Sequence, residues 1–149
     1  MSNLSNLSEQ LAVVSVIDPD AYGTGTQDGD IIDMAARDRV LFIVQVGDIA
    51  SSGVVDFVVY GSAAANFSTP GPIPGKAITS LTQAGTDSDK QAVVEVSAWE
   101  VGILGYRYIR GHLILTGAGA DAAVIGIGGK SRFEPATLAD LASVDEIVA

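Results

Sequence analysis

The stretch RVLFIVQVGDIASSGVVDFVVYGS, residues 39–62, decides the fold class of this chain. Two runs of β-branched and aromatic residues are separated by GDIASSG, which supplies the glycine, aspartate and serine residues of a turn. The pattern predicts a β-hairpin. In the first run both alternating sets of side chains are apolar, so we expect that strand to be covered on both faces.

Further strand patterns recur along the chain. The longer ones are LAVVSVI (11–17), QAVVEVSAW (91–99), YRYIRGHLILT (106–116) and AAVIGIG (122–128), and the shorter ones are DIID (30–33) and AITSL (77–81). About seven or eight strands separated by turn residues are typical of an all-β protein, and they predict an antiparallel β-sandwich. A chain of 149 residues is long enough to give that sandwich one sizeable core.

Three segments fall outside this pattern. SAAANFSTPGPIPGK (62–76) has three prolines and two glycines, which predict a long exposed loop. Residues 1–10 are mostly small and polar, and we expect a flexible segment before a sandwich domain spanning 11–130. Residues 131–149 are expected to form an extended or partly helical arm, which either docks on a neighbouring subunit or folds back on its own domain.

Composition and charge narrow the possible partners. Eight Lys and Arg residues against eighteen Asp and Glu residues give a net charge of -10, which repels phosphate backbones and argues against direct nucleic-acid binding. The chain has no cysteine, and therefore no disulfide or thiolate chemistry. Its N-terminus lacks the basic residues of a secretory signal, and every apolar run is too short to span a bilayer, so we expect no membrane partner.

No motif in the chain predicts an enzyme or a bound cofactor. TGAGADA contains Gly117, Gly119 and Ala122 in a dinucleotide-like spacing, but the helix that must follow is missing and a turn between strands is expected. The acidic loop DPDAYGTGTQDGD, from Asp18 to Asp30, fails most of a calcium-loop pattern; we expect a solvated turn, with weak cation binding left open. The single histidine, His112, cannot form a multi-histidine metal site.

Two sets of residues are candidates for an interface. Tyr106, Tyr108 and Arg110 share one predicted strand face with His112 and could form an aromatic, hydrogen-bonding contact surface. In the C-terminal arm, the apolar side chains that could dock on a neighbour are Phe133, Leu138, Leu141 and Val144, of which the last three recur at helical spacing.

The order of phrases from Ile31 to Gly129 resembles a known family. DMAARDRVLFIVQVGDI, VDFVVYGSAA, GKAITSLTQAGTDSDKQAVVEVSAWEV and YRYIRGHLILTGAGADAAVIGIGG are similar to the capsid decoration, or cement, proteins of tailed phages and prophages. The resemblance implies a jelly-roll-like β-sandwich that is made in the bacterial host cytoplasm and binds the outer face of an icosahedral head. It also implies the major capsid protein as a partner and self-association as a dimer or trimer.

A structural role on the virion is consistent with these sequence features. A shell-reinforcing protein needs rigidity, solubility and repeated contacts, and it needs no catalytic group. The alternative is a β-sandwich recognition module that binds a glycan or receptor on a phage tail or fibre. Such a module would use an exposed aromatic platform, for which Trp99 is the only tryptophan in the chain.

Overall fold

The computed structural model describes residues 6–132 and 136–148, most of which form two antiparallel sheets packed face to face. The strands are β1 (Leu11–Tyr22), β2 (Gly25–Asp28), β3 (Ile32–Asp33), β4 (Arg37–Ile49), β5 (Val54–Ser62), β6 (Gly71–Ala77), β7 (Leu81–Thr82), β8 (Gln91–Ser97), β9 (Tyr108–Thr116) and β10 (Ala120–Ser131). Two short α-helices, α1 (Leu7–Gln10) and α2 (Ala98–Ile103), and a 3-10 helix at Ala136–Ala139 complete the described elements.

The order of the strands identifies the architecture. One sheet has the order β1-β10-β4-β8 and the other has β2-β9-β5-β6, with β3 added beside β9 and β7 beside β5. Without these two short strands, eight main strands remain, and they pair first with last, second with seventh, third with sixth and fourth with fifth. This is the folding pattern of a jelly roll. The predicted all-β sandwich is confirmed, although the described residues form ten strands rather than seven or eight.

The core lies between the inward faces of the two sheets. Val40, Phe42, Val44 and Val46 alternate along β4 and are completely or almost completely buried, and Val55, Phe57 and Val59 alternate in the same way along β5. The rings of Phe42 and Phe57 meet across the sandwich, with their centroids 5.4 Å apart. The hairpin predicted over residues 39–62 is wrong, because β4 and β5 belong to different sheets and face each other across the core instead of pairing. Their inward side chains join the two sheets.

Two expectations about loops are corrected by the strand pairing. β1 continues through Asp18–Tyr22 and β2 begins at Gly25, so most of the predicted acidic loop is strand. Residues 71–76 of the predicted exposed loop belong to β6, despite Pro72 and Pro74. Proline is tolerated there because β6 ends its sheet and needs to donate hydrogen bonds to one neighbour only.

The C-terminal segment lies against its own domain in the described residues. The backbone N–H of Leu141 donates to the carbonyl oxygen of Val13 over 2.9 Å, and the N–H of Val13 donates to Asp140 Oδ1 over 2.6 Å. These bonds occupy the free edge of β1, which would otherwise present unpaired backbone groups. The described part of the arm thus contacts its own domain, and docking on a neighbouring subunit stays a prediction.

Candidate interaction surfaces

The first predicted interface set lies on the outer face of the six-stranded sheet. Tyr108, Arg110 and His112 alternate along β9 and are each partly buried. Arg110 Nε donates to the carbonyl oxygen of Gly29 over 2.7 Å, and His112 Nδ1 lies 2.6 Å from Asp28 Oδ1. These contacts fasten β2 to β9, so two of the polar groups proposed for a partner are already used within the domain.

Tyr106 is separated from the other members of that set. It precedes β9 and packs against Gly61 and Gly71, where a Cβ atom on either glycine would overlap its ring or hydroxyl group. Its ring is partly buried against the core. Tyr106 therefore closes one end of the sandwich, whereas Tyr108 stands on the outer face with the Arg107 guanidinium 5.2 Å from its ring centroid.

The predicted arm residues are only partly described. Phe133 lies outside the described residues, as does the side chain of Leu138. Leu141 bonds to β1 through its backbone, and Val144 N–H donates to the carbonyl oxygen of Leu141 over 3.0 Å. Val144 lines an apolar hollow on its own domain, together with Leu11, Val13, Ile127 and Ile147.

The carboxylates predicted as weak cation ligands are dispersed. Asp28 contacts His112 and Arg110, and Asp30 Oδ2 accepts a hydrogen bond from the N–H of Val16 over 2.9 Å. Within the described ranges no group of three or more His, Asp and Glu side chains is placed to hold a metal ion. The glycines of TGAGADA have a steric role, because a Cβ on Gly117 would overlap the carbonyl oxygen of Ser52 and one on Gly119 would overlap that of Tyr22.

Helix α2 carries an exposed apolar patch that the strand pattern did not predict. Trp99 and Ile103 are four residues apart, and their exposed fractions are 75% and 63%. Side chains at this spacing share one face of a helix. With Leu104, which follows the helix and is 40% exposed, they form what we call the α2 patch. The sequence signal for this helix was Ser97-x-x-Glu100, a capping box at its first turn.

Glu100 fixes the start of α2 through charge and hydrogen bonding. Its carboxylate accepts a hydrogen bond from the N–H of Ser97 over 2.9 Å and lies 2.9 Å from Lys76 Nζ. The pKa of Glu100 is lowered from its usual 4.5 to about 2, mainly by the Lys76 ammonium and next by the N–H of Ser97. The α2 patch is thereby held against β6 by an ion pair.

Glu100→Gln is therefore expected to destabilise the fold in a pH-dependent way. A lowered pKa means that the carboxylate contributes stability above pH 4.5, and that this contribution is lost as the pH falls from 4.5 towards 2. Because 37% of the Glu100 side chain is exposed, solvent screening limits the loss at pH 7 to about 1 kcal/mol.

Urea unfolding of the unchanged protein and of Glu100→Gln, between pH 7 and pH 2.5, measures the difference in their free energies of unfolding. Glu95→Gln is the matched control, because Glu95 pairs with Arg39 while about half of each side chain is exposed. It should cost less than about 0.5 kcal/mol at any pH. A Glu100→Gln effect that does not shrink towards low pH would contradict the assigned role of the charge.

The four-stranded sheet leaves most of its outer face open, and the C-terminal segment borders this face only on the β1 side, at the hollow that Val144 lines. Direct cross-strand pairing places Val16, Ile125, Ile43 and Val93 in one row across all four strands, and Val13, Ile127 and Leu41 in the next row. Ile125 is 43% exposed and Val93 is 60% exposed. The expectation that β4 is covered on both faces is wrong within the described residues, because Leu41 and Ile43 belong to these rows, which we call the open face.

Charged groups flank the open face at opposite ends of its strands. At one end Arg39 and Lys130 line the hollows next to Leu11 and Trp99, together with Asp38 and with Glu95, which forms an ion pair with Arg39 over 2.7 Å. Lys130 forms no ion pair with another described residue. At the other end Asp20, Asp89 and Asp121 line a shallow hollow of about 540 Å³ with Gln45 and Gln91. None of these three aspartates forms an ion pair with another described residue.

Comparisons with known proteins give a limited result. No protein-family model matches the chain, and no curated protein matches it. Two solved structures of infectious bursal disease virus, from the Gx and Gt strains, match 86% of this chain with TM-scores of 0.45 and 0.46 and identities of 9% and 10%. The match covers 34% of each of those chains, so this chain spans about a third of their length. No described helix has the length and apolar character needed to cross a bilayer.

Proposed function

We propose that this protein is a structural component of a phage virion that binds the outer surface of an icosahedral head and stabilises the shell. It would act without catalysis or a cofactor, in contact with the major capsid protein and with further copies of itself. The observation that carries the proposal is the exposure of large apolar side chains at two places, the α2 patch and the open face, on a sandwich of two packed sheets. Contiguous exposed apolar surface marks sites of protein association.

The choice of a phage head among possible assemblies rests on the sequence. The phrases that resemble decoration proteins run from Ile31 to Gly129 and include β3 to β9 and most of β10. A jelly roll is one of the architectures used by viral capsid domains, and it is also used by lectins. Fold alone therefore does not separate a virion role from sugar recognition, and the site must do so.

The α2 patch is the surface that we propose to contact the head. Tryptophan is enriched among the residues that dominate binding energy, especially when apolar neighbours exclude water around it. Ile103 and Leu104 supply such neighbours beside Trp99. The double change Trp99→Ala and Ile103→Ala is expected to weaken binding to expanded heads about thirtyfold or more, while the fold is retained because both side chains point into solvent.

Cosedimentation with expanded heads assembled from the major capsid protein of the same genome measures this binding. Ile31→Ala is the control, because Ile31 is also exposed but lies outside both apolar surfaces. Heads bound by the unchanged protein should in addition retain their contents at higher temperature or lower ionic strength than bare heads. Equal binding by the double variant would reject the α2 patch as the contact.

A recognition module on a tail or fibre is the second candidate, and the exposure of Trp99 favours it. The Trp99 ring borders a shallow hollow with Asp38, Arg39, Ser97 and Lys130, a mixture of aromatic and polar groups that can bind a sugar. Binding to a glycan array that is lost with Trp99→Ala but kept with Ile103→Ala would select this function. If no glycan binds, and head binding is lost with Trp99→Ala and also with Ile103→Ala, the result would select the protein contact.

A further inference from the structure

We propose that the open face is a dimer interface, in which a second copy of this chain packs its own four-stranded sheet against the first. This inference deepens the self-association in the proposed function and so rests on it. It names the surface and symmetry that would be used. The other sheet is a poorer candidate, because the strand side chains among the exposed large apolar residues, Val93 and Ile125, both belong to the four-stranded sheet.

The row Val16, Ile125, Ile43 and Val93 defines where the symmetry axis would lie. A twofold axis along this row, in the plane between the two sheets, brings each of its side chains against the same residue of the partner. Two sheets packed in this way lie about 10 Å apart with interdigitated side chains, as in the interior of a sandwich. Such a contact is isologous and closes at two copies.

The flanking charges select this axis over the alternative. Along β10, Asp121 lies four residues before Ile125 and therefore shares its face. Lys130 lies five residues beyond Ile125, but its φ of +50° breaks the alternation there, and it lines the hollow beside Arg39 and Leu11. Rotation about the apolar row therefore places Lys130 of one copy over Asp121 of its partner. A twofold axis parallel to the strands would instead place the acidic end on the acidic end, which like-charge repulsion disfavours.

Strand β4 repeats the same spacing. Arg39 lies four residues before Ile43, and Gly47 lies four residues after it, where a Cβ atom would be 3.2 Å from Asp121 Cβ. The rotation thus brings the Arg39–Glu95 ion pair towards the hollow lined by Asp20, Asp89 and Asp121, where the guanidinium can also face the partner's carboxylates. The end of the sheet that carries Lys130 would thus face the partner's acidic end, and the dimer would contain this contact twice, once on each side of the axis.

The size of the face suits a stable dimer. Four strands about 4.8 Å apart and about nine residues along each strand, at about 3.3 Å per residue, give a projected area of about 600 Å². Accessible area follows the contours of the side chains and exceeds the flat projection. It therefore comes close to the roughly 800 Å² that each partner buries in a standard interface.

Sedimentation equilibrium of the full chain, without any head present, tests the proposal. The expected species has twice the monomer mass of 15.2 kDa at micromolar concentration. The double change Ile125→Thr and Val93→Thr, which keeps β-branched side chains in the strands, should weaken the dimer about tenfold or more. Ile114→Thr, on the outer face of β9 in the other sheet, is the matched control and should leave the dissociation constant unchanged.

A charge exchange makes the test independent of folding defects. Lys130→Glu and Asp121→Lys should each weaken the dimer about tenfold at low salt, and the two changes together should restore it, because each new charge faces its new opposite in the partner. A monomer at all concentrations, a trimer, or a dimer unaffected by the Thr changes would overturn the proposal. A dimer that binds no heads would overturn the head-binding role and leave this interface standing, so the two failures are distinguishable.

Discussion

Phe42→Ala is expected to lower the free energy of unfolding by about 3–5 kcal/mol, the cost of removing a buried aromatic ring and leaving a cavity. Phe42 is fully buried on β4, and its ring meets that of Phe57 from the opposite sheet. Glycines on two nearby strands, Gly126 of β10 and Gly111 of β9, leave the space that this ring fills. A Cβ on Gly126 would lie 3.1 Å from Phe42 Cε1, and one on Gly111 would lie 3.4 Å from the same atom.

Urea unfolding followed by circular dichroism measures this loss, at one fixed protein concentration because dimerisation would add to the apparent stability. Thermal unfolding should show a fall of roughly 10–15 °C in Tm for a chain of this length. Ile103→Ala is the control, because it removes an apolar side chain that is 63% exposed and should change stability by less than about 0.5 kcal/mol. A loss below about 1 kcal/mol for Phe42→Ala would contradict the close packing between the sheets.

Gly117→Ala is expected to cost about 2–4 kcal/mol. Gly117 has a φ of +73°, which disfavours any residue with a Cβ atom, and the added methyl group would overlap the carbonyl oxygen of Ser52. That oxygen belongs to the backbone of the turn between β4 and β5, so it cannot rotate away as a side chain could. The turn from β9 to β10 would have to move, and with it the connection between the two sheets.

The matched control for this change is Gly102→Ala in helix α2. Gly102 has no neighbouring atom within 4 Å of the added Cβ, so alanine should fit and stabilise the helix by up to about 1 kcal/mol. Urea unfolding of both variants gives changes of opposite sign if the close approach of Gly117 to Ser52 is real. Equal and small effects would show that the turn has room for a side chain.

The sequence predicted the sheet architecture because its signals are local. The β-branched and aromatic runs in residues 39–62 and 106–116 predicted the strands β4, β5 and β9, but not which apolar set of β4 faces the core or that β4 and β5 lie in different sheets. The number of strands was harder to predict from the sequence. β6 carries Pro72 and Pro74 and is stabilised by its position at the sheet edge, which is a property of the tertiary fold and not of the segment.

The candidate surfaces were harder to predict than the fold. Arg110 and His112 have the residue types of an interface, but Gly29 and Asp28, more than eighty positions earlier in the chain, occupy their polar groups. The second apolar set of β4, Leu41 and Ile43, predicts burial on both sides, yet the structure leaves it on an outer face. Periodicity reports that a face is apolar, and it does not report whether the covering partner belongs to the same chain.

Saturation of expanded heads with the purified protein tests the central claim most directly. The head-stabilising role predicts that bound protein rises to a plateau at a fixed ratio to the major capsid protein, and that the decorated heads withstand higher temperature than undecorated ones. Binding that never saturates, or protein that remains free in solution at every concentration, would contradict that role.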